Sequence, residues 1–238
     1  MNLVQLTRKD HAGLRLDPPR ALAAAASVHL VPLVAGEIRK VASQFPVFLA
    51  KDGETGQFYP AALLGLEPQE NLFWDGTTFD ADHVPLNLLR LPFFVGSGPL
   101  EGQVCIDSDS AAIVADGPVG IVEPDGSDSA YLQSVQAILG QLVAEQAPTA
   151  VLVDLVTEHR LVSEVKLEVA FHNGTSASLS GLYGIDERAL GRKAAALGDW
   201  DQVMVLAAMA LSLDHVAGLV RRKNARLATE ASWFAPGA

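Results

Sequence analysis

Ser27-Val28-His29-Leu30-Val31-Pro32-Leu33-Val34-Ala35-Gly36-Glu37 opens the most strongly patterned stretch of the chain, and Leu64-Gly65-Leu66-Glu67-Pro68-Gln69-Glu70-Asn71-Leu72-Phe73-Trp74 closes it. Between the two, the apolar residues change period. From Gly36, Ile38, Val41 and Ala42 fall at i, i+3 and i+4, with Glu37, Arg39 and Lys40 on other faces. That spacing predicts a helix ending near Gln44, before Pro46. Residues 45–50 are short and apolar, a buried strand. Residues 51–57 carry Asp52-Gly53 and Gly56, a hairpin loop longer than two residues. Residues 58–66 return as the partner strand, with Pro60 expected near its start or on an unpaired edge. A polar turn, 67–71, then leads into Leu72-Phe73-Trp74, a large apolar load for the core.

The flanks extend this pattern. Upstream, Asp17-Pro18-Pro19-Arg20 predicts an extended entry, because prolines lack the amide donor and restrict the residue before them. Downstream, Asp75-Gly76 marks a turn, and Pro85 opens a short helix that stops by Pro92. Residues 93–96 and 103–107 read as strands around a glycine-rich turn. Residues 107–128 scatter six acidic side chains among Gly, Pro and Ser. They predict an exposed loop region and a subdomain boundary, pinned by Val119, Ile121 and Val122. From Ser129, Leu132, Val135, Leu139, Leu142 and Val143 form one helical stripe, with Pro148 expected to break it and a second helix over 150–161. Residues 164–171 alternate as a half-buried strand, Asn173-Gly174 turns it, and 176–183 return. A helix over 187–197 follows. The last helix begins after Asp199, with Gln202 at capping-box spacing. Arg221, Arg222, Lys223 and Arg226 read as its water-exposed basic end, favourable to the helix dipole. Residues 231–238 read as a loose tail. The expected class is α+β: antiparallel hairpins packed with several helices, and a helical C-terminal end. One domain over 1–238 is expected; the alternative is a mixed β/α part, 1–127, and a helix–hairpin–helix part, 128–230.

Composition narrows the function classes. The chain has 238 residues, 49% of them hydrophobic and 19% charged, which is globular composition. Acidic residues outnumber basic ones 28 to 17, for a formal charge of −11. Such a surface repels phosphate backbones and anionic lipid, so no nucleic-acid partner is expected. The single cysteine, Cys105, excludes an intramolecular disulfide and disfavours a cysteine-based zinc site. The alanine-rich segment 21–35 makes a poor signal peptide, because it starts late and holds His29 and Pro32. The apolar stretch 203–213 is shorter than the roughly 20 residues of a membrane span. These features predict a cytoplasmic chain with no membrane span.

No catalytic constellation stands out. The six histidines show no metal-ligand spacing; neither a metal nor a cofactor is expected. His29, among apolar neighbours, reads as a hydrogen-bonded histidine rather than a base. Cys105, on an apolar strand, reads as a packed thiol. Asp107-Ser108-Asp109-Ser110 begins like a calcium loop, but Ala112 and Pro118 occupy the positions that need Gly and Glu.

Several blocks do resemble a known family. They are His29-Leu30-Val31-Pro32-Leu33-Val34 with Glu37; Phe45-Pro46-Val47-Phe48-Leu49-Ala50-Lys51; Gly56-Gln57-Phe58; and the run from Ala62 to Phe73 through Glu67-Pro68-Gln69-Glu70-Asn71. Leu91-Pro92-Phe93, Cys105-Ile106-Asp107, Leu179-Ser180-Gly181-Leu182-Tyr183 and Ile185-Asp186-Glu187 add support. Together they resemble the SapC family of bacterial proteins, over about residues 3–226. This is not the peptide-transporter permease that shares the name. The family takes its name from surface-layer gene regions, and its members often neighbour outer-membrane receptor transporters and flavin-dependent halogenase-like proteins. No catalytic residue set carries over from it. The resemblance implies a non-catalytic accessory protein with a protein partner or self-association, and association with the envelope. The alternative is a small-molecule-binding protein or an enzyme of unknown reaction. In that case His29, Glu37, Lys51, Glu67, Glu70 and Asn71 would converge on a pocket or interaction site.

Overall fold

A computed structural model describes residues 1–234 of the chain, with side chains as far as Glu230. The strands are β1 (Leu3–Gln5), β2 (Arg15–Leu16), β3 (Leu30–Pro32), β4 (Val47–Lys51), β5 (Phe58–Leu63), β6 (Phe93–Val95), β7 (Val104–Asp107), β8 (Val119–Gly120), β9 (Val162–Ala170) and β10 (Ser176–Ile185). The helices are α1 (Arg8–His11), α2 (Pro18–Ala23), α3 (Ala35–Val41), α4 (Leu86–Leu89), α5 (Ala130–Ala144), α6 (Gln146–Glu158), α7 (Glu187–Leu197), α8 (Trp200–Ser212) and α9 (Val216–Phe234). Every pairing among the described strands is antiparallel, and the chain has the expected α+β class.

Contacts divide the chain into two units that interleave along the sequence. The first comprises Met1–Ala26, Trp74–Asp80 and Val84–Glu145; the second comprises Ser27–Phe73, Ala81–His83 and Gln146–Ala238. By contacts, α5 falls in the first unit and α6 in the second.

In the first unit, β1, β7 and β6 form one small sheet, and β2 pairs with β8. Its core gathers Leu16, Phe93, Ile106, Ile121, Leu132 and Leu139. Ile121 is buried, so the acidic segment is pinned where expected. Pro18 and Pro19 do not block helix formation; they open α2 from its first turn. The first turn has no intrahelical partner for its amides, so proline loses nothing there. Pro148 behaves the same way. The break falls at Glu145, and the proline sits in the opening turn of α6, which therefore starts before residue 150.

The second unit is built on a five-stranded sheet in the order β3-β5-β4-β10-β9. The two hairpins read from sequence, β4–β5 and β9–β10, join through Leu182 opposite Ala50 and Tyr183 opposite Leu49. Pairing of β10 with β9 slips between Leu179 and Leu182. Gly181 takes φ +77° there, a bulge conformation that a side chain resists. Pro60 lies near the start of β5, and its carbonyl accepts from the Leu33 amide. Phe45, Phe48, Ile38, Leu63 and Leu206 are fully buried, and α8 packs on α3, α7, β4 and β10.

Capping follows the sequence closely. The Ser129 hydroxyl accepts from the Leu132 amide, and the Asp186 carboxylate from Ala189. Asp199 accepts from Asp201 and Gln202. The last helix departs from expectation in two ways. A 3-10 turn, Leu213–His215, separates α8 from α9, and α9 continues to Phe234. Residues 231–234 are thus helical rather than a tail, and 235–238 lie outside the described residues. The helical run Trp200–Glu230 spans 31 residues with a window of mean hydropathy 2.0, long and apolar enough by length and composition to cross a membrane. That exceeds the short stretch read from sequence. Its inner face, including Val203, Leu206, Met209 and Leu219, is buried within the second unit.

Ser212 shows how α8 is fixed to the sheet. Its buried hydroxyl donates to the Met209 carbonyl at 2.6 Å and accepts the Val47 amide at 2.9 Å. Ser212→Ala leaves that amide buried without a partner, at an expected cost of about 1–3 kcal/mol. Urea unfolding should show a lower midpoint with an unchanged m-value; an unchanged midpoint would mean that the amide is satisfied in another way.

Candidate functional site

The turn after β5 is wound tightly by its own backbone. The amides of Leu64 and Gly65 donate to the His29 carbonyl at 2.7 and 3.3 Å, and the Leu72 amide donates to the Leu64 carbonyl at 2.8 Å. Gly65 is needed by close approach, because a Cβ there would collide with the Glu70 carbonyl oxygen. Gln69 takes φ +62° to complete the turn.

The polar residues of the turn look inward. One carboxylate oxygen of Glu70 accepts the Leu66 amide at 2.9 Å. The other accepts the Lys223 ammonium at 2.7 Å. Glu67 takes a second Lys223 hydrogen bond, also at 2.7 Å. Asn71 is buried; its side-chain oxygen accepts the Phe73 amide, and its carbonyl accepts the Arg226 guanidinium at 3.0 Å. The Arg222 guanidinium lies 4.4 Å from the Phe73 ring centre. Residues 222, 223 and 226 stand at i, i+1 and i+4 on α9, which brings them to one side of the helix. Asn224 accepts the His172 amide, so α9 also holds the β9–β10 turn.

Arg222, Lys223 and Arg226 are therefore a grip on the acidic turn and not a water-exposed helix end, while Arg221 is exposed. Lys223 is buried, and burial by itself lowers an ammonium pKa. The hydrogen bonds to Glu67 and Glu70 outweigh that effect and hold it above its ordinary 10.5. A lysine so protonated serves neither as nucleophile nor as base at neutral pH. The two carboxylates differ in exposure: the Glu67 side chain is 47% exposed and that of Glu70 only 10%. The two hydrogen bonds are equal in length, and the more buried Glu70 is the costlier group to leave unpaired.

The other expected site residues lie in different settings. Glu37 is buried at the start of α3, where its carboxylate accepts the Val34 amide at 3.3 Å. Its second oxygen stands 3.7 Å from His83 Nε2, too far for a hydrogen bond. Burial, and then Lys40, hold the His83 imidazole below its ordinary 6.5. Lys51 is exposed, with its ammonium 4.9 Å from the Phe58 ring and 5.0 Å from that of Tyr183. His29 serves the turn through its backbone. Of the six residues, Glu67, Glu70 and Asn71 are brought together; Glu37 and Lys51 belong to other groupings. Cys105 is fully buried. Among the described residues, no three His, Cys, Asp or Glu side chains form a metal-holding group.

Lys223, Arg226 and Asn224 were the partners that sequence reasoning missed. The usable signal was charge complementarity: a compact acidic turn, and a basic cluster with helical spacing more than 150 residues away, at a separation of 153 for the Glu70 pair.

This clamp predicts a ranking. Glu70→Gln should cost about 1–3 kcal/mol and Glu67→Gln less than about 1 kcal/mol. Lys223→Met, which leaves Glu70 buried without its cation, should cost the most, about 3–5 kcal/mol. Because the Lys223 pKa is raised on folding, this stabilisation is present below 10.5 and fades as pH rises through the folded value. Urea unfolding of the three variants at pH 7, and of the parent at rising alkaline pH, checks both. Equal losses for Glu67→Gln and Glu70→Gln would contradict the ranking.

The model of the SapC family matches residues 6–219. The match includes Glu67, Glu70 and Asn71 and ends before Lys223 and Arg226. No curated protein matches the chain, and no solved structure matches it. With nine-tenths of its length covered by that match, about 214 of 238 residues, the chain belongs to the SapC family.

Proposed function

We propose that the protein is a non-catalytic accessory component of a bacterial surface-layer or outer-membrane uptake system, and that it acts by binding another protein. The observation that carries this reading is an apolar ridge on the outer face of α8. Trp200 is 69% exposed, Met204 38% and Leu211 66%. At about 100° per residue, the three fall within roughly 40° of one another around the helix. Isolated exposed apolar residues are common, but a ridge led by an exposed tryptophan is the composition of a binding hot spot.

Charge specifies the kind of partner. Asp199, Asp201 and Asp214 are exposed beside the ridge, and the chain is acidic overall. They suit a partner with an apolar groove bordered by lysine or arginine. Membership in the SapC family supports the envelope link, through the gene surroundings that give the family its name. The reading has the chain working in the cytoplasm and reaching the envelope through its partner. The alternative, a small-molecule site formed by residues 27–74, would have to operate without Glu70 and Lys223, whose charged atoms hold each other.

A photo-reactive amino acid placed at Met204 in the native host tests this reading. The expected product is a covalent adduct with the cytoplasmic precursor of an outer-membrane or surface-layer protein, or with the cytoplasmic face of a component of its uptake system, and it should be lost in Trp200→Ser/Leu211→Ser. An adduct pattern identical to that from a probe at exposed Glu168 would refute it.

A further inference from the structure

The five-stranded sheet of the second unit ends in β3 on one side and β9 on the other. Sheet edges invite further strands, and proteins blunt them with short strands, prolines or bulges. β3 is three residues long and ends in Pro32. β9 runs for nine residues without a proline, and the extra residue of the bulge lies on β10. The direction of its backbone groups follows from the two ends of the ladder. The Phe171 amide donates to the Thr175 carbonyl, and the Leu161 carbonyl accepts the Asp186 amide. Both residues bond towards β10. By alternation the odd-numbered residues of β9 do the same, and Glu164, Lys166 and Glu168 turn their amides and carbonyls to the open edge. Among the described residues, no hydrogen bond takes up these outward groups.

The side chains say what the edge would accept. Glu164, Lys166 and Glu168 are exposed on one face of β9, with charges alternating in sign, while Val165, Leu167 and Val169 are half-buried on the other. An antiparallel strand added here must oppose acid to Lys166, base to Glu168 and apolar residues to the middle. The segment itself meets that demand when it is read backwards about Leu167. Lys166 then faces Glu168 of a second copy, and Glu168 faces its Lys166. Leu167 faces Leu167, and Val165 faces Val169. Outward-bonding residues meet outward-bonding residues, so the new ladder closes. Neighbouring registers fit less well. Centring on Lys166 opposes lysine to lysine and Glu164 to Glu168, and centring on Val165 sets Leu167 against Ser163.

We propose that β9 is the seat of a two-fold homodimer, in which the β9 strands of two copies pair antiparallel about Leu167 and join the two five-stranded sheets into one. The self-complementary charge pattern selects a second copy of this chain as the occupant. The formal charge of −11 on each copy opposes association. Physiological salt confines that repulsion to about 8 Å, whereas the two Lys166–Glu168 pairs stand directly opposite one another. The two-fold arrangement makes each contact occur twice. The dimer uses no residue of the α8 ridge, so either proposal can fail while the other stands.

Sedimentation velocity on the full chain, over rising concentration, tests the proposal. The parent should pass from monomer to dimer with a Kd on the order of 10 µM, as suits a small interface. Lys166→Glu and Glu168→Lys should each weaken the dimer about tenfold or more, because each sets like charges opposite one another twice. Glu168→Lys lowers the net negative charge, so a loss there separates register from overall repulsion. An equimolar mixture of the two variants should recover a heterodimer as tight as the parent, since every facing pair is again opposite in sign. Both positions are exposed, and recovery on mixing shows that both variants are folded. Trp200→Ser/Leu211→Ser should dimerise like the parent. A parent that stays monomeric, single variants that dimerise unchanged, a mixture without recovery, or a dimer lost with the α8 ridge would overturn it.

Discussion

Burying a lysine costs free energy unless acid lies against it, and the second unit is arranged around meeting that demand. The Lys223 ammonium sits between Glu67 and Glu70, 2.7 Å from each. The two acids stand on a turn that Gly65 allows to close on itself, and the Glu70 carboxylate also fixes that turn through the Leu66 amide. One side chain thus joins a local turn to a helix from the far end of the chain. Arg226 on Asn71 and Arg222 on Phe73 repeat the same connection, and Asn224 on His172 ties α9 to the β9–β10 turn. A buried ion pair is a weak source of net stability compared with apolar residues of similar size. Its effect here is directional: α9 can satisfy these groups in one register, so the clamp selects how the helix lies.

The elements legible in the sequence were those fixed by neighbours. Asn173-Gly174 determined the β9–β10 turn, and Ser129, Asp186 and Asp199 marked their helix starts, because each acts over three residues or fewer. Pro18-Pro19 and Pro148 were misread for a related reason. A proline excludes itself from a helix interior and is welcome in a first turn, and the two cases differ only by where the helix begins. The pairing of β4 with β10 had no local signal. It joins residues 49–50 to 182–183, and nothing within either hairpin names the other. Gly181 lay unremarked inside the returning strand, and its bulge lies where β10 begins to pair with β4.

The candidate site was legible in half. Glu67, Glu70 and Asn71 did belong together, since they share a turn of a few residues. Lys51 and Glu37 looked equally distinctive, but one rests among the aromatic rings of Phe58 and Tyr183 and the other caps α3. The partner of the acidic turn was hidden because the basic residues had a sufficient local explanation as the end of a dipole. Only the continuation of α9 to Phe234 shows that they lie within the helix rather than at its end. The α8 ridge was hidden for a different reason: exposure is a property of the folded chain, not of residue type.

Lys223 and Glu70 act as one unit rather than as two favourable residues. A double-mutant cycle measures this directly, with Lys223→Met, Glu70→Leu and the pair compared by urea unfolding at pH 7. The clamp predicts a coupling energy above about 1 kcal/mol, with the double variant losing less than the sum of the single ones. Additive losses, within about 0.3 kcal/mol, would show that the two groups do not depend on each other.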